Sequence, residues 1–297
     1  MVNFNIPDEK KVRVILDTDV KNEVDDQYAI VHGILSESID LRGIIPAHFG
    51  KDKSEHSQQD SYEEAMLVLK KMKKEGVIRV ENGAMQAMET ANLPMCSDGA
   101  KFIIEEAMKE DERPLYIACL GPLTDMASAL LMCPEIAQRN IIVIWIGGRD
   151  YPTGGWEYNL KNDVHAANVV FKSAVQLWQV PRNVYRMMPV TYAELWDKVY
   201  PYGEIGKYLA ENVVNFNNAW KSRPAEFRIL GDSPSIGIIL FNDCGEWEWM
   251  PAPEFDDTMH YVYTGKNRPI KVYKNIDSRF ILEDFYAKLK LFAADGE

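Results

Sequence analysis

Val12-Arg13-Val14-Ile15-Leu16-Asp17-Thr18-Asp19-Val20-Lys21-Asn22-Glu23-Val24-Asp25-Asp26 is the stretch on which the reading of this chain turns. Residues 12–16 make a short, largely β-branched run ended by polar residues, the pattern of a buried parallel strand. Asp25-Asp26-Gln27-Tyr28-Ala29-Ile30-Val31 then starts a helix with acids at its positive end. Four carboxylates, those of Asp17, Asp19, Asp25 and Asp26, surround one strand-to-helix turn. In open α/β sheets, ligands bind outside the carboxyl ends of the strands. Negative charge packed there is costly unless a cation sits among the oxygens, and a hard cation such as calcium takes roughly six to eight of them. An acidic helix start would account for Asp25 and Asp26 but not for Asp17 and Asp19. The turn therefore predicts a divalent-metal site.

The strand–helix alternation continues outward from this turn. A helix over 25–36 leads to a strand at 41–45. Ser61-Tyr62-Glu63-Glu64 reads as a capping box opening a helix that ends in Lys70, Lys71, Lys73, Lys74 and Gly76. Those lysines complement a helix end and need no ligand. Ser97 caps a helix over 98–110. A strand at 115–120 passes through Gly121-Pro122 into a helix over 123–132. Residues 141–146 form a central strand ending in Gly147-Gly148. A helix over 163–173 and a strand at 184–188 follow. Thr191-Tyr192-Ala193-Glu194 is a second capping box, before helices near 203–221 and 233–242. Residues 261–263 and 270–273 read as a hairpin around Gly265-Lys266-Asn267, followed by a last helix near 281–292. Repeated βαβ units imply an α/β fold: an open, mainly parallel, doubly wound sheet with helices on both faces.

Residues 1–297 read as one domain, since no Ser/Gly/Pro linker or internal repeat divides them, and a 46% hydrophobic content supplies one large core. The first ten residues lack the apolar centre of a signal peptide, and no apolar run approaches the ~20 residues of a membrane span. A net charge of −12 and a pI near 5.0 argue against nucleic acid or an anionic membrane as partner. Cys96, Cys119, Cys133 and Cys244 show no zinc spacing and read as buried thiols of a cytoplasmic protein.

Four segments, taken in order, resemble the nucleoside hydrolase family of the inosine-uridine-preferring type. The first is the acidic turn, with Asp-x-Asp at 17–19 and Asp-Asp at 25–26. Its Asn-Glu-x-Asp-Asp-Gln spacing is longer than the commonest form and marks a divergent branch. The second is Leu120-Gly121-Pro122-Leu123-Thr124-Asp125. The third is Trp145-Ile146-Gly147-Gly148 with Glu157-Tyr158-Asn159. The fourth is Leu230-Gly231-Asp232-Ser233-Pro234. The resemblance implies hydrolysis of the N-glycosidic bond of a ribonucleoside, possible modified bases included, with calcium as cofactor and a place in nucleoside salvage. It implies calcium held by Asp19, Asp26, Asp232 and the backbone carbonyl of Leu120, with Asp19 also taking a proton from the attacking water. Asp25, Glu157 and Asn159 would hydrogen-bond the ribose, and Asp17 would orient the turn from behind. The partner would be a small-molecule ribonucleoside, and the assembly a homodimer or homotetramer.

The leaving-group side departs from the family. Many members carry a histidine just before the last metal aspartate, where it protonates the departing base; here that position is Gly231. Of His32, His48, His56, His165 and His260, only His48 follows a strand end and is placed to face the site. Tyr151, Trp156, Tyr158, Trp220 and Phe227 are candidates to stack on a base. A haloacid dehalogenase-type phosphohydrolase also places Asp-x-Asp at a strand end, but Lys21 stands where that family needs Thr or Val, and Asp25-Asp26 would have no role. A non-catalytic nucleoside or ribose binder on the same scaffold would tolerate loss of the histidine but not explain retention of Asp19.

Overall fold

The computed structural model describes residues 4–294. A central sheet of seven strands runs in the order β2 (Ile39–Pro46), β1 (Val12–Thr18), β3 (Leu115–Cys119), β4 (Ile141–Ile146), β5 (Gln176–Val180), β11 (Pro269–Tyr273) and β8 (Trp247–Pro251). Every neighbouring pair is parallel except β11 with β8. The helices in chain order are α1 (Asp26–Leu35), α2 (Ser57–Lys71), α3 (Asp98–Ala107), α4 (Thr124–Met132), α5 (Tyr158–Asn162), α6 (Val164–Lys172), α7 (Arg182–Tyr185), α8 (Tyr192–Lys198), α9 (Gly203–Ala219), α10 (Ser233–Leu240) and α11 (Ser278–Ala294). Two small antiparallel pairs, β6 (Pro189–Thr191) with β7 (Phe227–Ile229) and β9 (Glu254–Phe255) with β10 (Tyr261–Val262), complete it.

Strand alternation divides the core between the two faces. In β4, Ile142, Ile144 and Ile146 belong to the apolar cluster that includes side chains of α1, α2, α9, α10 and α11, while Ile141, Val143 and Trp145 belong to the one that includes α3, α4 and α6. Such two-sided burial explains why the strand is apolar throughout, and each large buried side chain contributes about 1.5–3 kcal/mol. The chain runs from β1 to β2 on one side, then crosses to β3 on the other. The reversal of strand order between β2 and β3 leaves a crevice outside the carboxyl ends of β1 and β3. That is where the acidic turn emerges.

Several local expectations are corrected. Residues 184–188 are not a strand: α7 closes at Tyr185, and the strand entering the sheet before it is β5. Residues 261–263 and 270–273 do not form a hairpin. β10 pairs with β9, whereas β11 lies between β5 and β8 in the main sheet. Ser61 does not open a helix, because α2 begins at Ser57 and Ser61 lies inside it. Ser97 and Thr191 do cap α3 and α8, accepting from the amides of Ala100 and Glu194. Of the cysteines, Cys119 and Cys244 are buried, but Cys96 is exposed and Cys133 half-buried. None of the described helices is long and apolar enough to cross a membrane.

Candidate active site

A cavity of about 560 Å³ opens at the crevice. Asp19, Asp25, Asp26, Asp232, Leu120, Glu157 and Asn159 all line it, although they come from four separate stretches of chain. Asp17 does not: it is fully buried behind the turn, beside the Cys119 thiol (3.9 Å) and near Asp125. It belongs to the packing that supports the turn.

The acids come very close to one another. One carboxylate oxygen each of Asp25, Asp26 and Asp232 lies within 4.8 Å of the others. Asp26 accepts from the Thr18 hydroxyl at the end of β1, and Asp25 accepts from the Gly231 amide at 2.8 Å. Asp19 lines the same cavity and accepts from the Asn22 side chain at 3.1 Å. A side chain at position 121 would collide with it, since a Cβ there falls 2.9 Å from the Asp19 carboxyl carbon. Gly121 is thus the residue that lets the second segment pass against the first.

Burial raises the pKa of each of these carboxyls, and neighbouring acids raise them further. Asp26 is pushed up to about 8, by burial first and then by Asp25. Asp25 is pushed up to about 6, by burial and then by Glu23. Asp19 and Asp232 are raised well above the carboxylate range, again by burial before the neighbouring acids. Groups so arranged resist carrying full charge together. An oxygen-only donor set without His or Cys fits a hard divalent cation, which would relieve that repulsion.

The opposite wall is made at the end of β4. Glu157 caps α5, accepting from the amides of Gly148 (2.9 Å) and Leu160 (3.0 Å), and its other oxygen accepts from the Tyr185 hydroxyl at 3.0 Å. Asn159 gives its amide hydrogens to the carbonyls of Leu120 (2.9 Å) and Ile146 (2.8 Å). Its side-chain oxygen is left as the group able to accept from a ligand.

Residues to which the sequence assigned no part in the site hold the turn in place. Glu64, buried on α2, accepts from Lys21 at 2.7 Å and Gln27 at 3.0 Å, and also from the Tyr208 hydroxyl. Glu23 accepts from Arg223 at 2.7 Å and from Arg228, tying the turn to β7 and the segment before it. These partners lie scores of residues away, so no local spacing signals them.

The chain matches the model of the inosine-uridine preferring nucleoside hydrolases over residues 14–236. It belongs to that family. The non-specific ribonucleoside hydrolase RihC of Shigella flexneri serotype 5b is 33% identical over 81 residues, 26% of this chain and 27% of that protein. An uncharacterised protein of Schizosaccharomyces pombe is 30% identical over 87 residues, 28% of each chain. The matched stretches thus span little more than a quarter of these curated relatives. The structural likeness is wider. A plant nucleoside hydrolase, PpNRh1, superposes with a TM-score of 0.76 at 17% identity, over 94% of this chain and 99% of that one. A purine-preferring ribonucleoside hydrolase from Gardnerella vaginalis gives 0.77 at 18% identity, over 95% and 99%. At such identities the likeness concerns the fold.

His48, which the sequence placed past a strand end and facing the site, is not available as a leaving-group acid. It is fully buried and absent from the cavity wall. Its Nδ1 accepts from the Gly50 amide at 3.2 Å, so its Nε2 carries the hydrogen donated to Thr124 Oγ1 at 2.9 Å. The space beside Gly231 is taken by the ring of Tyr185, 3.1 Å from where a Cβ would stand. Trp156, Tyr158, Trp220 and Phe227 do line the cavity. Tyr151 instead packs edge-on against Tyr261 and donates to Gln179 at 2.7 Å.

Proposed function

We propose that this nucleoside hydrolase cleaves the N-glycosidic bond of ribonucleosides to give ribose and free base, using a bound calcium ion. The observation carrying this is the convergence of Asp19, Asp25, Asp26 and Asp232 with Glu157 and Asn159 on one cavity at the strand-order reversal. Asp26, Asp232, Asp19 and the carbonyl of Leu120 would hold the cation. When bound, it polarises a water toward deprotonation at neutral pH and binds vicinal hydroxyls.

The remaining steps belong to side chains. Asp19 takes the proton from the attacking water. Asp25 accepts from a ribose hydroxyl, its geometry fixed by the Gly231 amide. Asn159 can only accept, since both amide hydrogens are committed. Glu157 adds negative charge on the far side of the sugar, where positive charge develops in an oxocarbenium-like transition state. Aromatic side chains at the mouth exclude water from the base. Asp25 is also close enough to Asp26 and Asp232 to join a shared cation, a second arrangement that the three-carboxylate cluster favours.

Reducing-sugar release from a panel of ribonucleosides tests the reading. Matched 2′-deoxyribonucleosides should fall by as much as roughly 10⁴–10⁵ in kcat/KM, because buried polar groups made for the diol are left unpaired. Phosphate release from a phosphate ester without any sugar release, or equal rates for ribose and deoxyribose substrates, would count against it.

A further inference from the structure

With Gly231 in place of a histidine and His48 locked elsewhere, the departing base still needs a proton. Among the groups lining the cavity, the arginines cannot supply one, since a guanidinium stays protonated at any ordinary pH. The Tyr185 hydroxyl is committed to Glu157. Tyr158 is the other phenol on the wall, and burial raises its pKa beyond the ordinary phenol value. Lys53 remains.

Lys53 follows β2 and lines the cavity. Its Nζ lies 2.6 Å from the side-chain oxygen of Asn22 and 3.2 Å from that residue's carbonyl. It also lies 4.6 Å from the ring centre of Tyr158 and 5.5 Å from that of Trp220. None of these direct partners among the described residues is a carboxylate. The cation is thus held by neutral oxygens and two ring faces, an arrangement that fixes its position without consuming its charge in an ion pair. Both ends of the arrangement touch the chemistry. Asn22 donates to Asp19, and Tyr158 is the residue between Glu157 and Asn159.

We infer that, in the hydrolase reading above on which this rests, Lys53 is the acid that protonates the leaving base. As the C1′–N bond breaks, its electron pair passes to the base and a ring nitrogen takes a proton from the Lys53 ammonium. The water oxygen bonds to C1′ and its proton passes to Asp19. The neutral amine and the protonated Asp19 return to their starting states by exchange with solvent. Burial lowers the pKa of Lys53; Glu23 and Asp19 pull it back up, while Arg223 and Arg228 push it down. The net direction is the one that a donor working near neutral pH needs.

The test compares inosine, whose base is a poor leaving group, with p-nitrophenyl riboside, whose phenolate leaves without help. Lys53→Met should lower kcat for inosine by about 10²–10⁴-fold, the usual worth of general acid catalysis, and for p-nitrophenyl riboside by less than about tenfold. Lys53→Arg keeps the charge and the ring contacts but cannot give up a proton, so it should not restore inosine turnover. Equal losses on both substrates, no loss on either, or full rescue by Lys53→Arg would each overturn the assignment. A wild-type chain inactive on every riboside would instead remove the hydrolase reading, and the role of Lys53 with it.

Discussion

The side-chain amide of Asn159 bridges the ends of two strands: it donates to Leu120, just beyond β3, across 2.9 Å and to Ile146, at the end of β4, across 2.8 Å. One residue therefore sets both the floor of the cavity and its own presentation to a ligand. Asn159→Asp replaces a double donor by a carboxylate facing two carbonyl oxygens. An orphaned buried carbonyl costs ~1–3 kcal/mol, and the added repulsion acts in the same direction. Urea unfolding should show a loss of at least about 2 kcal/mol from these two bonds. A variant within about 0.5 kcal/mol of wild type, the range of an ordinary surface change, would mean that the bridge is not formed.

Stability should depend on calcium. Ligand binding to the folded state alone adds about 2.7 kcal/mol at a hundred times Kd, so treatment with a chelator should lower Tm and added calcium restore it. Asp232→Asn gives the sharper test. It removes a donor, so most of the calcium-dependent shift should vanish. It also removes one of the mutually repelling buried carboxyls, so without calcium the variant should be at least as stable as wild type. Calorimetry with and without calcium reads both effects, and an undiminished calcium shift in Asp232→Asn would exclude that residue as a ligand.

Asp19→Asn preserves shape while removing a base. The Asn22 contact at 3.1 Å is with a side-chain oxygen that the amide can still offer, so folding should be largely retained. Loss of a general base is worth about 10²–10⁴ in rate, and kcat for ribonucleosides should fall by at least that much. Near-native turnover would show that another group takes the proton.

How much of this was legible depended on distance along the chain. The apolar runs of β1 and β4 and the acidic turn could be read directly, because strand burial and helix-start chemistry are local. β5 was missed because Gln179 interrupts a central strand. That glutamine is fully buried since its amide donates to the Gly147 carbonyl at 2.9 Å, a partner lying 32 residues away. β11 was misplaced because its partners β5 and β8 are not its sequence neighbours. In the site, the acids stood out by composition, whereas Glu64, Arg228 and Lys53 acquire their roles only through contacts made by the finished fold.

His48 shows the same limit and yields a pH prediction. Its position past a strand end suggested a group facing the cavity, yet its Nδ1 accepts from Gly50 and its Nε2–H donates to Thr124, which in turn donates to Asp163 at 2.8 Å. A proton added at Nδ1 would meet the Gly50 N–H, and burial pushes the imidazole pKa down to about 4 from an ordinary 6.5. The unfolded chain therefore binds the proton more readily than the folded one. The stabilisation from neutral His48 is complete above pH 6.5 and is lost as pH falls from there toward 4, by about 3 kcal/mol in all. Buried acids with raised pKa values, such as Asp17, contribute with the opposite sign, so wild type alone does not isolate the effect. His48→Gln has no titrating group at this position. The stability difference between wild type and His48→Gln, from urea unfolding at pH 4 to 7.5, should shrink toward acid by about 1.4 kcal/mol per pH unit at most. A difference independent of pH across that range would mean that the folded protein takes up the His48 proton as readily as the unfolded chain does, contrary to the burial and hydrogen bonds of the ring.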